Sequence, residues 1–168
     1  MINNHLVVEH VNFGIDDLKD KYDIYNSLLE KMFIEMDFSD KPILGKIFDL
    51  QSNTYFKDKS LYKDSIVDEI KAKTLAYFLK NENAYIGGCI CQHSKFYTDT
   101  CMISNLVIFS EFRSQGYGKY FLPYILNDLK IKYKFKHFGL NCLTNNHAAI
   151  KLYRSFGFSP VSTFMMKL

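Results

Sequence analysis

Leu106-Val107-Ile108-Phe109-Ser110-Glu111-Phe112-Arg113-Ser114-Gln115-Gly116-Tyr117-Gly118-Lys119 is the stretch on which the reading of this chain turns. The apolar run Leu106 to Phe109 reads as a strand, and the residues beyond Lys119 read as a helix. Two glycines where a helix opens leave several backbone N–H groups unpaired and aimed at one spot, with no Cβ atoms in the way. The helix dipole adds partial positive charge there. Such an arrangement binds phosphate or pyrophosphate; the competing reading is a Gly-rich strand-to-helix turn with no ligand.

Other phosphate motifs fit less well. A nucleotide-triphosphate loop needs G-x-x-x-x-G-K followed by Ser or Thr, whereas position 113 is Arg and Lys119 is followed by Tyr120. A dinucleotide fingerprint would need a glycine where Phe121 stands. The pattern that fits is R-x-x-G-x-G, at Arg113, Gly116 and Gly118. Downstream, Asn146, Ala149, Leu152, Tyr153, Gly157 and Phe158 fit N-x-x-A-x-x-L-Y-x-x-x-G-F. Asn145 or Asn146 caps a short helix. Ala149, Leu152, Tyr153 and Phe156 fall on one face of it, and Gly157 ends it in a left-handed cap. On that face alone, Tyr153 reads as a core tyrosine.

The two stretches together resemble the GNAT acetyltransferase superfamily, whose acyl-CoA pyrophosphate loop carries the first pattern and whose members often carry the second downstream of it.

The 168 residues are enough for one domain with a core of its own, expected to span 1–168. The chain is 48% apolar and 23% charged, as soluble globular proteins are. A net charge of +3 favours an anionic ligand but is too small to argue for nucleic acid. The Lys130, Lys132, Lys134 and Lys136 cluster reads as the solvated end of a helix, with RNA or membrane contact as the alternative. Cys89, Cys91, Cys101 and Cys142 make no C-x-x-C pair and sit in apolar segments, as buried thiols in a reducing cytosol do. The five His lack ligand spacing, so no metal is expected. Asn3, Asn4 and His5 break any signal-peptide core, and no apolar run reaches the ~20 residues that span a bilayer. The expectation is a cytoplasmic protein that binds neither membrane nor nucleic acid, with a possible homodimer.

Along the chain, residues 6–13 read as a strand. A helix over about 17–36 has Leu18, Tyr22, Tyr25, Leu29, Met32 and Met36 as its apolar stripe. Residues 37–57 look irregular or partly helical, and a helix fits 59–73. Strands follow at Thr74–Leu79, Ala84–Gln92 and Cys101–Phe109, with Gly87-Gly88 a bulge or a close contact. A helix over 117–132 contains Pro123, which predicts a kink or an irregular first turn. Strand 137–143, helix 146–155 and a last strand within 158–167 complete the series. This order matches the GNAT arrangement, an α/β (α+β) fold with a central, mixed, mostly antiparallel sheet flanked by about four helices.

The resemblance implies acetyl-CoA as co-substrate, with an acetyl group moved to a primary amine in a ternary complex. In that reading the pantetheine arm pairs with Leu106, Val107 and Ile108. A backbone N–H near Leu106 or Val107 stabilises the oxyanion. The pyrophosphate rests on N–H groups across Arg113, Ser114, Gln115, Gly116, Tyr117, Gly118 and Lys119. Asn146 binds the arm, and Tyr153 protonates the departing thiolate. Many relatives carry a Glu in the fourth strand as general base, but Met102 stands at that position here. Cys101, Ser104 and Asn105 can only order a water; Asp99 reads as a turn residue, and Glu9, Glu35 and His93 are bases only from elsewhere. This gap leaves the base and the acceptor open, and allows a second reading, an acyl-CoA-binding sensor or interaction module without turnover. With 11 residues after Gly157, the acceptor pocket is expected to be open or completed by a partner subunit.

Overall fold

The structure is a computed structural model and describes residues 5–12, 21–35, 74–94 and 97–161. Its frame is a five-stranded sheet in the order β1 (Val7–Asn12), β2 (Thr74–Lys80), β3 (Tyr85–His93), β4 (Thr100–Ile108) and β5 (His137–Leu140). The first four strands are antiparallel, and β5 runs parallel to β4. A parallel neighbour requires a crossover, and helix α2 (Tyr117–Tyr133) supplies it between β4 and β5. Helices α1 (Tyr22–Glu35) and α3 (His147–Ser155) complete the described elements. The expected helix over 59–73 and the stretch 37–57 lie outside the described residues, as do the start of the first predicted helix and the last strand beyond 161; residues 158–161 form no strand. No helix among the described residues is long and apolar enough to cross a membrane.

The sheet buries its two faces differently. On one, Phe121, Leu122, Ile125 and Leu129 of α2 recur at helical spacing and pack on Tyr77, Cys89, Cys91 and Ile103. On the other, Tyr25, Leu28 and Met32 of α1 pack on Ala76, Phe78, Ile90, Val107 and Phe109. Tyr25 and Met32 belong to the predicted stripe; Leu28 was outside it. Gly88 lets α1 come close, since a Cβ there would strike the Met32 sulfur, and a Cβ on Gly87 would strike the carbonyl oxygen of Val107. The glycine pair is thus a close-contact site. The register irregularities sit beside it: Ile86 is the extra residue against β2, and Ser104 the extra residue against β3.

Helix α2 runs without a break through Pro123. The ring falls in the second turn, where its missing N–H leaves the Lys119 carbonyl without its helical donor. The first turn is tight, with the Lys119 N–H donating to the Gly116 carbonyl at 3.0 Å. The basic end of α2 is used locally: Lys132 pairs with Asp128 at 2.8 Å, Lys130 lies over the Phe138 ring, and Lys136 reaches Asp99 at 3.6 Å.

Helix α3 starts at Asn146, whose side-chain oxygen accepts the Ala149 N–H at 3.1 Å. It ends as predicted at Gly157, with φ +85°. Phe158 N–H donates to the Tyr153 carbonyl, and Gly157 N–H to the Arg154 carbonyl, each at 3.1 Å. This is the paired hydrogen-bond cap that a left-handed glycine makes, sealed by the Phe158 and Tyr153 rings 5.9 Å apart. No atom lies within 4 Å of a Cβ built on Gly157. A Gly157→Ala substitution therefore meets only the left-handed backbone penalty, and urea denaturation should show a loss of about 1–2 kcal/mol.

Candidate active site

The loop between β4 and α2 is held from within. Ser110–Phe112 form a single 3-10 turn, in which Phe112 N–H donates to Phe109 O at 2.8 Å and Arg113 N–H to Ser110 O at 3.3 Å. Beyond it the backbone alternates in hand, with Ser114 at φ +62° and Gly116 at φ +89°. Backbone of alternating hand is the arrangement in which successive N–H groups can face one side and receive an anion. Among the described residues no acceptor takes the N–H of Ser114, Gln115, Gly116, Tyr117 or Gly118. The outer members of the predicted donor set differ: the Arg113 and Lys119 N–H groups are hydrogen-bonded inside the loop. The donor set thus narrows to five consecutive N–H groups, with the Lys119 side chain exposed at the rim.

The two glycines have separate causes. Gly116 is the residue before the helix, and its left-handed φ favours glycine. Gly118 is helical, and a Cβ there would lie 3.1 Å from the Leu152 side chain, so this glycine sets how closely α2 and α3 pack.

Strand β4 supplies an open edge. Its pairing with β5 ends at Ile103 opposite Leu140. Past the extra residue Ser104, no described strand pairs with that side of Asn105 to Ile108. The Phe109 N–H donates to Ile86 O, so Phe109, Val107 and Asn105 turn their backbone groups toward β3. Leu106 and Ile108 turn theirs into the gap beside β5. Of the three residues predicted to line a pantetheine arm, Leu106 thus turns its backbone there, and Ile108 its N–H, the Ile108 carbonyl accepting from Arg113 Nε at 2.9 Å. Val107 faces its N–H toward β3 and buries its side chain against α1.

Tyr153 lies on the α2 face of the sheet, half-buried, in the hydrophobic cluster that includes Cys89 and Leu106. Burial pushes its phenol pKa well above the ordinary value, and the nearby Cys142 and Cys89 thiols add to the shift. No hydrogen bond to its hydroxyl is found among the described residues. Asn146, the other predicted contact from this region, is exposed and has its side-chain oxygen in the helix cap, which leaves its amide N–H groups to offer.

The candidate bases are placed as follows. Met102 lies over Gly139 of β5, its sulfur 2.7 Å from where a Cβ would be. Glu9 accepts hydrogen bonds from Lys80 at 2.5 Å and Tyr85 at 2.8 Å. Burial would raise its pKa, but those hydrogen bonds and the charges of Lys80 and Lys21 outweigh burial and lower it, which makes a poor base. Glu35 is bound to Ser110 and Arg113. His93 packs edge-on against Phe135. Asp99 sits in the turn before β4, accepting the Lys136 and His137 N–H groups with its carbonyl, as its turn reading expected. Ser104 is exposed at the bulge, and Cys101 is buried. Among the described residues no group of three His, Cys, Asp or Glu is placed to hold a metal ion.

The family model for the acetyltransferase (GNAT) family matches residues 44–158. The chain belongs to the GNAT acetyltransferase family. Solved GNAT-fold structures superpose over almost its whole length. One is an aminoglycoside acetyltransferase from an uncultured soil metagenomic sample, in complex with trehalose, at 16% identity and TM-score 0.60, covering 100% of this chain and 99% of that one. A second is the aminoglycoside N-acetyltransferase AAC(6')-Iy in complex with CoA, at 10% identity and TM-score 0.58, covering 98% and 94%. A third is the ribosomal-protein-alanine N-acetyltransferase of Brucella melitensis biovar Abortus 2308, at 11% identity and TM-score 0.56, covering 97% and 99%. At these identities the likeness concerns the fold. No curated protein matches the sequence.

Contacts of Glu35 with Ser110 and Arg113 escaped the sequence reading. They join residues 75 and 78 positions apart, and no local pattern carries such a pairing.

Proposed function

We propose that this GNAT chain is an acetyl-CoA-dependent N-acetyltransferase that moves the acetyl group to a primary amine of a small molecule or peptide, by direct attack in a ternary complex. One juxtaposition carries the reading: five N–H groups without a described acceptor at the N-terminus of α2 follow in the chain on the open edge of β4, and the phenol of Tyr153 lies in the same hydrophobic cluster as Leu106. The loop takes the diphosphate, where the N–H groups and the helix dipole favour negative charge. The arm pairs with the β4 edge as an added strand would, and the Asn146 amide donates to it.

The acceptor nitrogen attacks the thioester carbonyl carbon, and the carbonyl π electrons move to oxygen. The Leu106 N–H, turned into the gap, stabilises that oxyanion. As the C–S bond breaks, its electron pair leaves on sulfur, which takes the Tyr153 proton. The oxyanion electrons re-form the carbonyl as sulfur leaves, the nitrogen gives up its proton to water, since Met102 stands where a carboxylate would serve, and the Tyr153 phenolate takes a proton back from water. An amine of modest pKa suits this arrangement. Aminoglycosides and the alanine of a ribosomal protein, the acceptors named for similar folds, are the first amines to screen, with other peptides beside them. A cytoplasmic location is part of this proposal, and four cysteines present as thiols suit it.

Met102 also favours a second reading, an acyl-CoA-binding module without turnover. Calorimetric titration of acetyl-CoA followed by a thiol-release assay across an amine panel separates the two. Binding with CoA release supports the transferase, binding without release from any amine supports the module, and no binding by the folded chain overturns both.

A further inference from the structure

Helix α1 is tied to the diphosphate loop at two points on one of its faces. Lys31 and Glu35 stand one helical turn apart. Lys31 Nζ donates to Glu111 Oε1 at 2.6 Å and lies 4.2 Å over the Phe109 ring. The Glu35 carboxylate accepts from Ser110 Oγ at 2.9 Å, Ser110 N–H at 3.2 Å and Arg113 Nη2 at 2.9 Å. The same Nη2 donates to the Glu35 carbonyl at 3.1 Å, capping the end of α1, and Nε donates to Ile108 O at 2.9 Å. Arg113 thereby joins three things: the end of the helix, the last carbonyl of β4, and the residue before Ser114. Ser114 is a non-glycine in the left-handed region, and such a residue keeps its conformation only where its surroundings over-determine it. The Glu35 side chain is 15% exposed and that of Arg113 50%, so the pair is shielded on the carboxylate side only.

We propose that Glu35 is a positioning residue for the diphosphate site: through Arg113 and Ser110 it fixes the turn whose N–H groups, Ser114 to Gly118, receive the acyl donor's phosphates. This rests on the acyl-CoA reading and deepens it. Arg113, conspicuous in the R-x-x-G-x-G pattern, acts here by holding the loop, its guanidinium being engaged with Glu35 and Ile108. Glu35, a candidate base by sequence, is instead a carboxylate with three donors on it.

The test is Glu35→Gln, followed by amide chemical shifts during titration with two probes, inorganic diphosphate and pantetheine. Gln keeps the length and loses the charge, so the hydrogen bonds from Ser110 and Arg113 weaken. Diphosphate affinity, read at Ser114 to Gly118, should fall about tenfold, the equivalent of 1.4 kcal/mol. Pantetheine affinity, read at Leu106, should stay within about twofold, because a preorganised donor set is lost while β4 at Leu106 keeps its place beside β3. A melting temperature within about 3 °C of the native value is expected. Equal loss for the two probes would make Glu35 a general structural residue and overturn the assignment, as would unchanged diphosphate affinity. If Glu35→Gln melts early, Ser110→Ala, which removes one donor to Glu35, should give the same selective loss at about threefold, and its absence overturns the assignment equally. A native chain that binds neither probe overturns the acyl-CoA reading itself, an outcome distinct from failure of Glu35.

Discussion

Tyr153→Phe is expected to lower kcat for acetyl transfer by about 100-fold while leaving the Kd for acetyl-CoA within about twofold, since a positioned general acid contributes 10²–10⁴-fold. The substitution removes one oxygen and keeps the ring that packs on Phe158. Because no hydrogen bond to that oxygen is found among the described residues, no partner is orphaned and stability should hardly change. The pH dependence follows from the direction of the shift. Burial, with the Cys142 and Cys89 thiols nearby, disfavours the phenolate and raises the pKa above the ordinary ~10 of tyrosine. An acid must be protonated to act, so kcat should not decline as pH passes through the ordinary tyrosine value; loss begins only above it. Steady-state rates from pH 6 to about 10.5 check this on the native enzyme, and single-turnover rates on the variant check the chemical step. Unchanged turnover at saturating substrates would remove Tyr153 from the mechanism and leave solvent to protonate the thiolate.

What could be read from the sequence, and what could not, divides by the range of the interaction. The caps of α3 are local: Asn146 and Gly157 act on residues within a few positions, and the structure places them as the motif suggested. The strand series was legible because its alternation and its turns are local too. The open edge came only from the family resemblance, not from any local pattern. It depends on β5 ending at Leu140, three residues short of the predicted 143, and on Ser104 being extra, a register fact involving three strands. Pro123 marked a conflict that the helix resolves by running on, because burial of Phe121, Leu122, Ile125 and Leu129, each contributing roughly 1.5–3 kcal/mol, outweighs one lost hydrogen bond. Arg113 stood out by its place in the pattern, with no partner for its guanidinium. Its guanidinium reaches Glu35, 78 residues earlier, and only the packing of α1 on the sheet reveals that.

The two glycines of the loop should fail differently when each is changed to valine. Gly116→Val should raise the Kd for acetyl-CoA by about 100-fold, the equivalent of ~2.7 kcal/mol. A β-branched residue at φ +89° is a genuine backbone outlier. The exposed loop relieves it by rotating, which breaks the alternation that aims the N–H groups at one point. Stability should fall little, because few buried contacts depend on the loop's shape. Gly118→Val leaves the backbone hand unchanged, since that residue is helical. Its Cβ meets Leu152 at 3.1 Å, and valine's added methyls push further. Leu152 neighbours Tyr153, so the strain moves α3 and the phenol with it. Overpacking of this kind costs about 1–3 kcal/mol of stability, and a misplacement of an ångström at the reacting atoms costs about 100-fold in rate. Gly118→Val should therefore lower kcat and the melting temperature more than acetyl-CoA affinity. Calorimetry, thermal melts and turnover on the two variants separate the roles. Equal affinity loss in the two would mean that both glycines serve the anion site, and the packing role assigned to Gly118 would fall.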